Sequence, residues 1–488
     1  MNLKFIGGII VVFFLSIPLQ VFPQAFNPIQ LNGIPAVSQG AMEWGDLDND
    51  GDYDPVISGW DGTEAISRVL INKGNSNYTV AGAGLANLYQ SDLQLTDYNR
   101  DGYLDIFIMG TDRSGAFVTK IYSNNQDMTF TDLNAPLKKI SRGALFVADL
   151  NQDANLDIVI TGLSSELVPV TRIYHSDGLQ FKDTGLRLTG LSDGDMLIED
   201  LNSDGLADII ITGKNEFEDE RFLQLTQTED GEFKDFQKFP LGMGLNIMTL
   251  WEDIDNDGFK DLMAHRLINN EFETIFYKNE SGKLSMTETG YPGVELLRYD
   301  PKSFPELFFS GENGLLRSID IDGDATNELV QIGDLGNGES GMLVFQSTPD
   351  FSFTIDKVVI PDLGSNLPFA ADWGDFDGDG DQDLLMLVWW EDHGHPHSLL
   401  FQNQGNQQFQ NFGFDIPAML GRARFIDLNN DNQPEILFGG ELNESINGLT
   451  ILEYTENSEI QEIVETGNDV LVQWVQIPLV CFLSNTKW

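Results

Sequence analysis

The chain has 488 residues, of which 41% are hydrophobic and 11% aromatic with 33 Phe, enough apolar material for a large packed core. Its formal charge of −50 excludes nucleic acid and anionic membrane as partners, since both would repel such a surface. The only cysteine is Cys481, which excludes an intrachain disulfide.

In chain order, residues 1–25 come first and read as a secretory signal peptide. Lys4 precedes the apolar run FIGGIIVVFFLSIPL, which glycines interrupt and Pro18 closes. The expected location is extracellular or at the cell surface, with no stable membrane insertion after cleavage. A fold that leaves the cell without disulfides commonly needs another staple, and metal is one.

Residues 26–457 are a repeat. The stretch DLDNDGDYDPVISG begins at Asp46, and related stretches begin at Asp97, Asp149, Asp200, Asp253, Asp320, Asp375 and Asp427. Successive spacings are 51, 52, 51, 53, 67, 55 and 52 residues. The spacing of 67 contains a decayed copy, RYDPKSFPELFFSG from Arg298 to Gly311, in which Arg298 and Lys302 replace acids. Each acidic loop is followed by an apolar run such as DIVITG, then an alternating segment, then an aromatic-led one. Four short β-rich runs per repeat, punctuated by Gly, Asn and Asp, predict an all-β fold of four-stranded propeller blades. Eight blades are favoured, with seven or nine if the decayed copy packs otherwise. A β-solenoid is the rival, but its turns are shorter.

The aromatic opening each fourth strand precedes the next acidic loop by a near-fixed offset. Tyr78, Phe130 and Phe181 each lie 19 residues before it, and Phe26 lies 20 before Asp46. The first strand after the signal, AFNPIQ, is therefore expected to complete the last blade and close the ring, which removes open edges. Residues 458–488 fall outside the repeat. ETGNDVLVQW resembles the opening strand of a truncated fibronectin type III-like domain, and the tail is expected to be poorly ordered.

Within each loop, positions 1, 3 and 5 are Asp or Asn and position 9 is Asp or Glu. The candidate ligands are Asp46, Asp48, Asp50 and Asp54; Asp97, Asn99, Asp101 and Asp105; Asp149, Asn151, Asp153 and Asp157; and Asp200, Asn202, Asp204 and Asp208. The later loops supply Asp253, Asp255, Asp257 and Asp261; Asp320, Asp322, Asp324 and Glu328; Asp375, Asp377, Asp379 and Asp383; and Asp427, Asn429, Asp431 and Glu435. Alternate side chains of a tight loop converge on one centre. Hard oxygens in that number, without His or Cys, suit several structural calcium ions better than magnesium. The competing reading is a set of Asx-turns satisfied by backbone N–H groups. Position 6 is Gly in five loops, a residue free to take positive φ; Ala154 and Ala325 are less suited and should weaken their loops by about 1 kcal/mol each.

The pattern D-x-[DN]-x-[DN]-G-x-x-D, followed by an apolar strand and Gly, resembles the FG-GAP/VCBS repeats of integrin-alpha-type calcium-binding propellers and secreted bacterial proteins. The resemblance spans Phe26 to Asn457. It implies loops joining the first and second strands of each blade, structural ions, and a ligand on the opposite face.

That face would carry Trp60, a candidate for stacking on sugar rings or for core packing. It would also carry WWEDHGHPHS (389–398), where His393, His395 and His397 are conceivable zinc or copper ligands or simply part of an exposed loop. Glu166, Glu216, Asp219, Glu339, Glu441 and Glu444 would add a negative rim. Two function classes follow. One is a binding or adhesion module for an extracellular protein or glycan. The other is a polysaccharide lyase or hydrolase on the same scaffold, against which the scarcity of Lys and Arg (27 in all) counts.

Overall fold

The computed structural model describes residues 26–29 and, between 37 and 454, all but short internal segments, the longest being 293–314. The signal-like segment, the decayed copy at 298–311 and the tail at 458–488 lie outside the described residues. The described elements are all strands, in eight antiparallel sheets built on a four-strand path. Sheet two is representative: Leu88–Thr96, Asp105–Asp112, Phe117–Asn124 and Phe130–Asp132, each paired with the next. Sheets three and five add short strands at Leu188–Thr189 and Tyr291–Pro292, which the sequence pattern did not predict.

The last sheet differs in origin. Leu420–Ile426, Glu435–Asn443 and Ile446–Tyr454 take Phe26–Ile29 as their fourth strand, with Phe26 opposite Tyr454 and Ile29 opposite Ile451. An aromatic residue opens the outer strand in most sheets, at Tyr78, Phe130, Phe181, Phe233, Phe353 and Phe409, but sheet five departs from the pattern and opens its outer strand at Lys283.

Neighbouring sheets meet along their first strands. Ser38–Gly45 lies beside Leu88–Thr96, which lies beside Ile140–Ala148, and Leu367–Gly374 lies beside Leu420–Ile426. Side chains stitch these strands together. Asp92 Oδ2 accepts the Leu145 N–H at 2.7 Å, and Asp372 Oδ2 accepts the Phe425 N–H at 2.8 Å. Each pair is 53 residues apart, one blade onward. This is the arrangement of a β-propeller.

The second strands are buried on both faces, which explains why their apolar runs do not alternate. Ile106, Phe107, Ile108 and Met109 are fully enclosed. The core lies between sheets: Tyr98, Phe107, Tyr174 and Phe181 join sheets two and three, and Phe276 stacks on Phe353 at 4.0 Å between sheets five and six. Apolar burial of this kind is the main stabilising term of the fold.

Candidate metal centres

Each acidic loop joins the first strand of a sheet to the second, and the acid at position 9 is the first residue of that second strand in all eight sheets. Asp54, Asp105, Asp157, Asp208, Asp261 and Asp383 are fully buried, and Glu328 and Glu435 are nearly so. These carboxylates hold their loops by both ends. Asp383 Oδ2 accepts the Phe376 N–H at 3.0 Å, and its Oδ1 accepts the N–H of Asn403, at the end of the third strand, at 2.8 Å. Asp54 does the same with Leu47 and Asn72, Asp157 with Leu150 and Ser176, and Asp261 with Ile254 and Asn279.

The rest of the loop is pre-shaped by its own backbone. Position 1 accepts from the N–H groups of positions 5 and 6: Asp97 from Asp101 at 3.0 Å and from Gly102 at 2.9 Å. Position 5 accepts from position 7, as in Asp257 from Phe259 at 3.0 Å. In loops one to five and seven, two residues take positive φ. Position 6 was expected to do so, and Gly102 (87°), Gly258 (93°) and even Ala154 (70°) comply. Position 4 was missed, because its residues share no type: Asn49 (60°), Arg100 (59°), Gln152 (60°) and Ser203 (56°).

The structure gathers carboxylates in four loops. Asp46, Asp48 and Asp50 place one oxygen each within 4.8 Å of one another, as do Asp253, Asp255 and Asp261; Asp320, Asp322 and Glu328; and Asp375, Asp377 and Asp383. Oxygens bound to one calcium at 2.3–2.6 Å lie within about 5.2 Å of each other, so these spacings fit. Buried oxygens without a hydrogen-bond partner point the same way: Asp48 Oδ1, Asp149 Oδ1 and Asp255 Oδ1 are sealed from solvent and have none. A cation would satisfy them; an Asx-turn does not.

In loops two, three and four, by contrast, no trio of carboxylates meets among the described residues. Position 3 is an amide there, and Asn99, Asn151 and Asn202 each turn the carbonyl oxygen to the position-5 N–H at 2.9 Å. Asp324, Asn429 and Asp431 lie outside the described residues.

Without a counter-charge the enclosed acids are hard to ionise. Burial pushes Asp54 and Asp261 up to about 7 and Asp383 to about 8, against the pull of two backbone N–H groups, and the other loop acids add to the rise. Asp105 and Asp208 reach about 6 for the same reason. Hard anionic oxygens under mutual repulsion are the donor set that calcium suits.

At the other end of the blades the histidine segment is partly a strand. His395 begins the third strand of sheet seven, and His397 is buried at the register of Val388 and Pro417, not in an exposed loop. His393 lies outside the described residues. Among the described residues no histidine joins a metal-sized group. Trp60 is half-buried and packs edge-on against Tyr89 of the next sheet, with centroids 5.5 Å apart. The acidic rim is in part paired: Glu166 with Lys138 at 2.7 Å, and Glu64 with Arg113 at 2.8 Å.

Sheet order and loop placement define a β-propeller whose blades each carry an acidic nine-residue loop between the first and second strands. Two segments of the repeat, residues 97–160 and 200–264, match the family model described as "FG-GAP-like repeat". A comparison with curated proteins gives no match. Among solved structures, a rhamnogalacturonan lyase of Bacillus licheniformis aligns at 14% identity and TM-score 0.44, covering 87% of this chain and 75% of its own. The BP39L lectin of Burkholderia pseudomallei aligns at 12% and 0.43, covering 78% and 100%. The Dos1 propeller aligns at 8% and 0.45, covering 89% and 96%. At such values the fold rests on the chain's own sheet order.

Proposed function

We propose that this chain is an exported, calcium-stabilised propeller that binds a protein or glycan through the face opposite its acidic loops. The observation that carries the reading is the exposure of apolar tips on that face. Leu167 is 71% exposed and Phe217 is 73% exposed, at equivalent turns between the second and third strands of sheets three and four. Val168 adds to the first tip. The Trp60–Tyr89 pair stands at the same end of sheets one and two. Large apolar side chains held out on turns mark contact surfaces. At this end Arg142 pairs with Asp193 and Arg113 with Glu64, so neither guanidinium stands alone to receive an anionic sugar.

Calcium in this reading is structural. Asp46, Asp48 and Asp50, with their counterparts in loops six and seven, would hold it and fasten the start of those second strands. The test is a glycan and protein array probed with the wild type and with Leu167→Glu/Phe217→Glu, in calcium and in chelator. Binding should be lost in the double variant while its melting point and calcium content stay unchanged. Undiminished capture by that variant would overturn the reading, as would release of unsaturated products from a uronate polysaccharide by the wild type.

A further inference from the structure

In sheets one to five and seven the third strand runs back toward its own acidic loop and reaches the residue whose N–H the position-9 carboxylate holds. The residue just before that donor faces position 3 of the loop. In sheet two, Ser123 Oγ lies 3.4 Å from Asn99 Nδ2. In sheet seven, Gln402 Nε2 donates to Asp377. In sheet five, Lys278 Nζ is ion-paired with Asp255 and lies 3.1 Å from Asp257. Asn99, Asp377 and Asp255 are all position 3. Ile71, His175 and Thr226 hold the same register in sheets one, three and four, each preceding the donor to Asp54, Asp157 or Asp208.

Lys278 is well placed to stay. The Asp255 side chain it pairs with is only 1% exposed, and its ammonium also stands 5.5 Å from the centre of the buried Phe351 ring. Lys73 makes a useful contrast. It follows the donor Asn72 instead of preceding it, its side chain is 45% exposed, and it reaches Asp48 from the solvent side at 3.4 Å. Such a contact is weak and readily given up. At the other extreme is Thr226, whose hydroxyl oxygen is sealed from solvent and has no hydrogen-bond partner.

We propose that this one third-strand position decides, loop by loop, whether a divalent cation is taken up, and that in sheet five the Lys278 ammonium serves as a tethered cation that excludes calcium. The proposal rests on the calcium reading of the other loops. An ammonium between positions 3 and 5 occupies the space and the negative potential that a metal would use, and two cations at that distance repel. Oxygen-bearing or neutral residues at the same register leave the loop to the ion.

The test is calcium stoichiometry by equilibrium dialysis with metal analysis, paired with hydrogen exchange at residues 253–261 in calcium and in chelator. Lys278→Met and Lys278→Gln should each bind one calcium more per chain than the wild type, with the sealed Asp255 Oδ1 among the new ligands. Gln402→Lys, at the same register beside the loop-seven group, should bind one fewer. Protection in the wild-type loop five should ignore chelator, and in the Lys278 variants it should become chelator-sensitive. If the wild type binds no calcium at all, the calcium reading fails. If it binds calcium but the Lys278 variants bind the same number, this proposal fails. Should both variants fail to fold, chelator-sensitive protection of 253–261 in the wild type would overturn it.

Discussion

Asn124, at the end of the third strand of sheet two, donates from Nδ2 to the carbonyl of Leu47 in the loop of sheet one, at 2.9 Å across 77 residues of chain. Its own N–H is held by Asp105 at 2.8 Å, so one residue ties two successive acidic loops together. The contact recurs one blade at a time. Gln227 reaches Leu150, Asn279 reaches Leu201, Ser347 reaches Ile254 and Asn403 reaches Ile321. Loops one, three, four, five and six are thus held both within their own sheet and by the next sheet.

Asn124→Ala should cost about 1–3 kcal/mol, because it strands the buried Leu47 carbonyl without a partner. Asn403→Ala should cost a similar amount at the junction of sheets six and seven. Urea unfolding followed by tryptophan fluorescence measures both. A loss below about 0.5 kcal/mol would place the clamp among surface contacts that contribute little.

The acids at positions 1 and 9 should separate in experiment. Asp383 holds two buried N–H groups whether or not a metal is bound, so Asp383→Ala should destabilise even the chelated protein, by about 2–5 kcal/mol, and the calcium-loaded protein by at least as much. Asp375 is exposed to the loop interior and accepts only from loop N–H groups. Asp375→Asn should chiefly weaken calcium binding and leave the chelated protein near its original midpoint. Calcium titrations of both variants against denaturant would show whether the two roles divide in this way.

Much of this was legible beforehand. The D-x-[DN]-x-[DN] spacing located each loop, and the acid at position 9 marked the start of every second strand, because a buried carboxylate beside an apolar run needs fixed partners. The amides at Asn124, Gln227, Asn279 and Asn403 recur just as regularly, 19, 19, 18 and 20 residues past that acid. Their meaning was hidden because the partner carbonyl belongs to the preceding sheet. Sequence also could not show that Lys278 and Gln402 turn inward, since strand register decides it. His397 was misplaced for a related reason: polar composition suggested a loop, while cross-strand pairing with Val388 buries it.

Loop three carries a removable strain. Ala154 sits at φ 70° where Gly102 and Gly205 stand in neighbouring loops, and its N–H still caps Asp149 at 2.9 Å. Ala154→Gly should therefore raise stability by about 1 kcal/mol, and Gly102→Ala should lower it by about the same amount. Opposite shifts in the urea midpoint are the expected pair. Equal signs would mean that the chain's freedom when unfolded outweighs the strain.

The buried acids make a prediction about pH. An unperturbed aspartate titrates near 3.8, whereas Asp54 and Asp383 are pushed up to about 7 and about 8 by burial. Without calcium, the folded chain then holds protons that the unfolded chain has already released. Stability must fall as pH rises through the window from about 4 to about 8, the reverse of the usual carboxylate behaviour. Chelated protein should accordingly show a higher urea midpoint at pH 5 than at pH 8. Calcium binds only the ionised carboxylates, so saturating calcium should cancel the slope or turn it over, by mass action on the folded state. The Asp383→Asn variant, which keeps an acceptor but cannot ionise, should flatten the slope of the chelated protein. A chelated midpoint that climbs between pH 5 and pH 8 would mean that these carboxylates already have a counter-charge inside the protein, and the metal would lose its role as their partner.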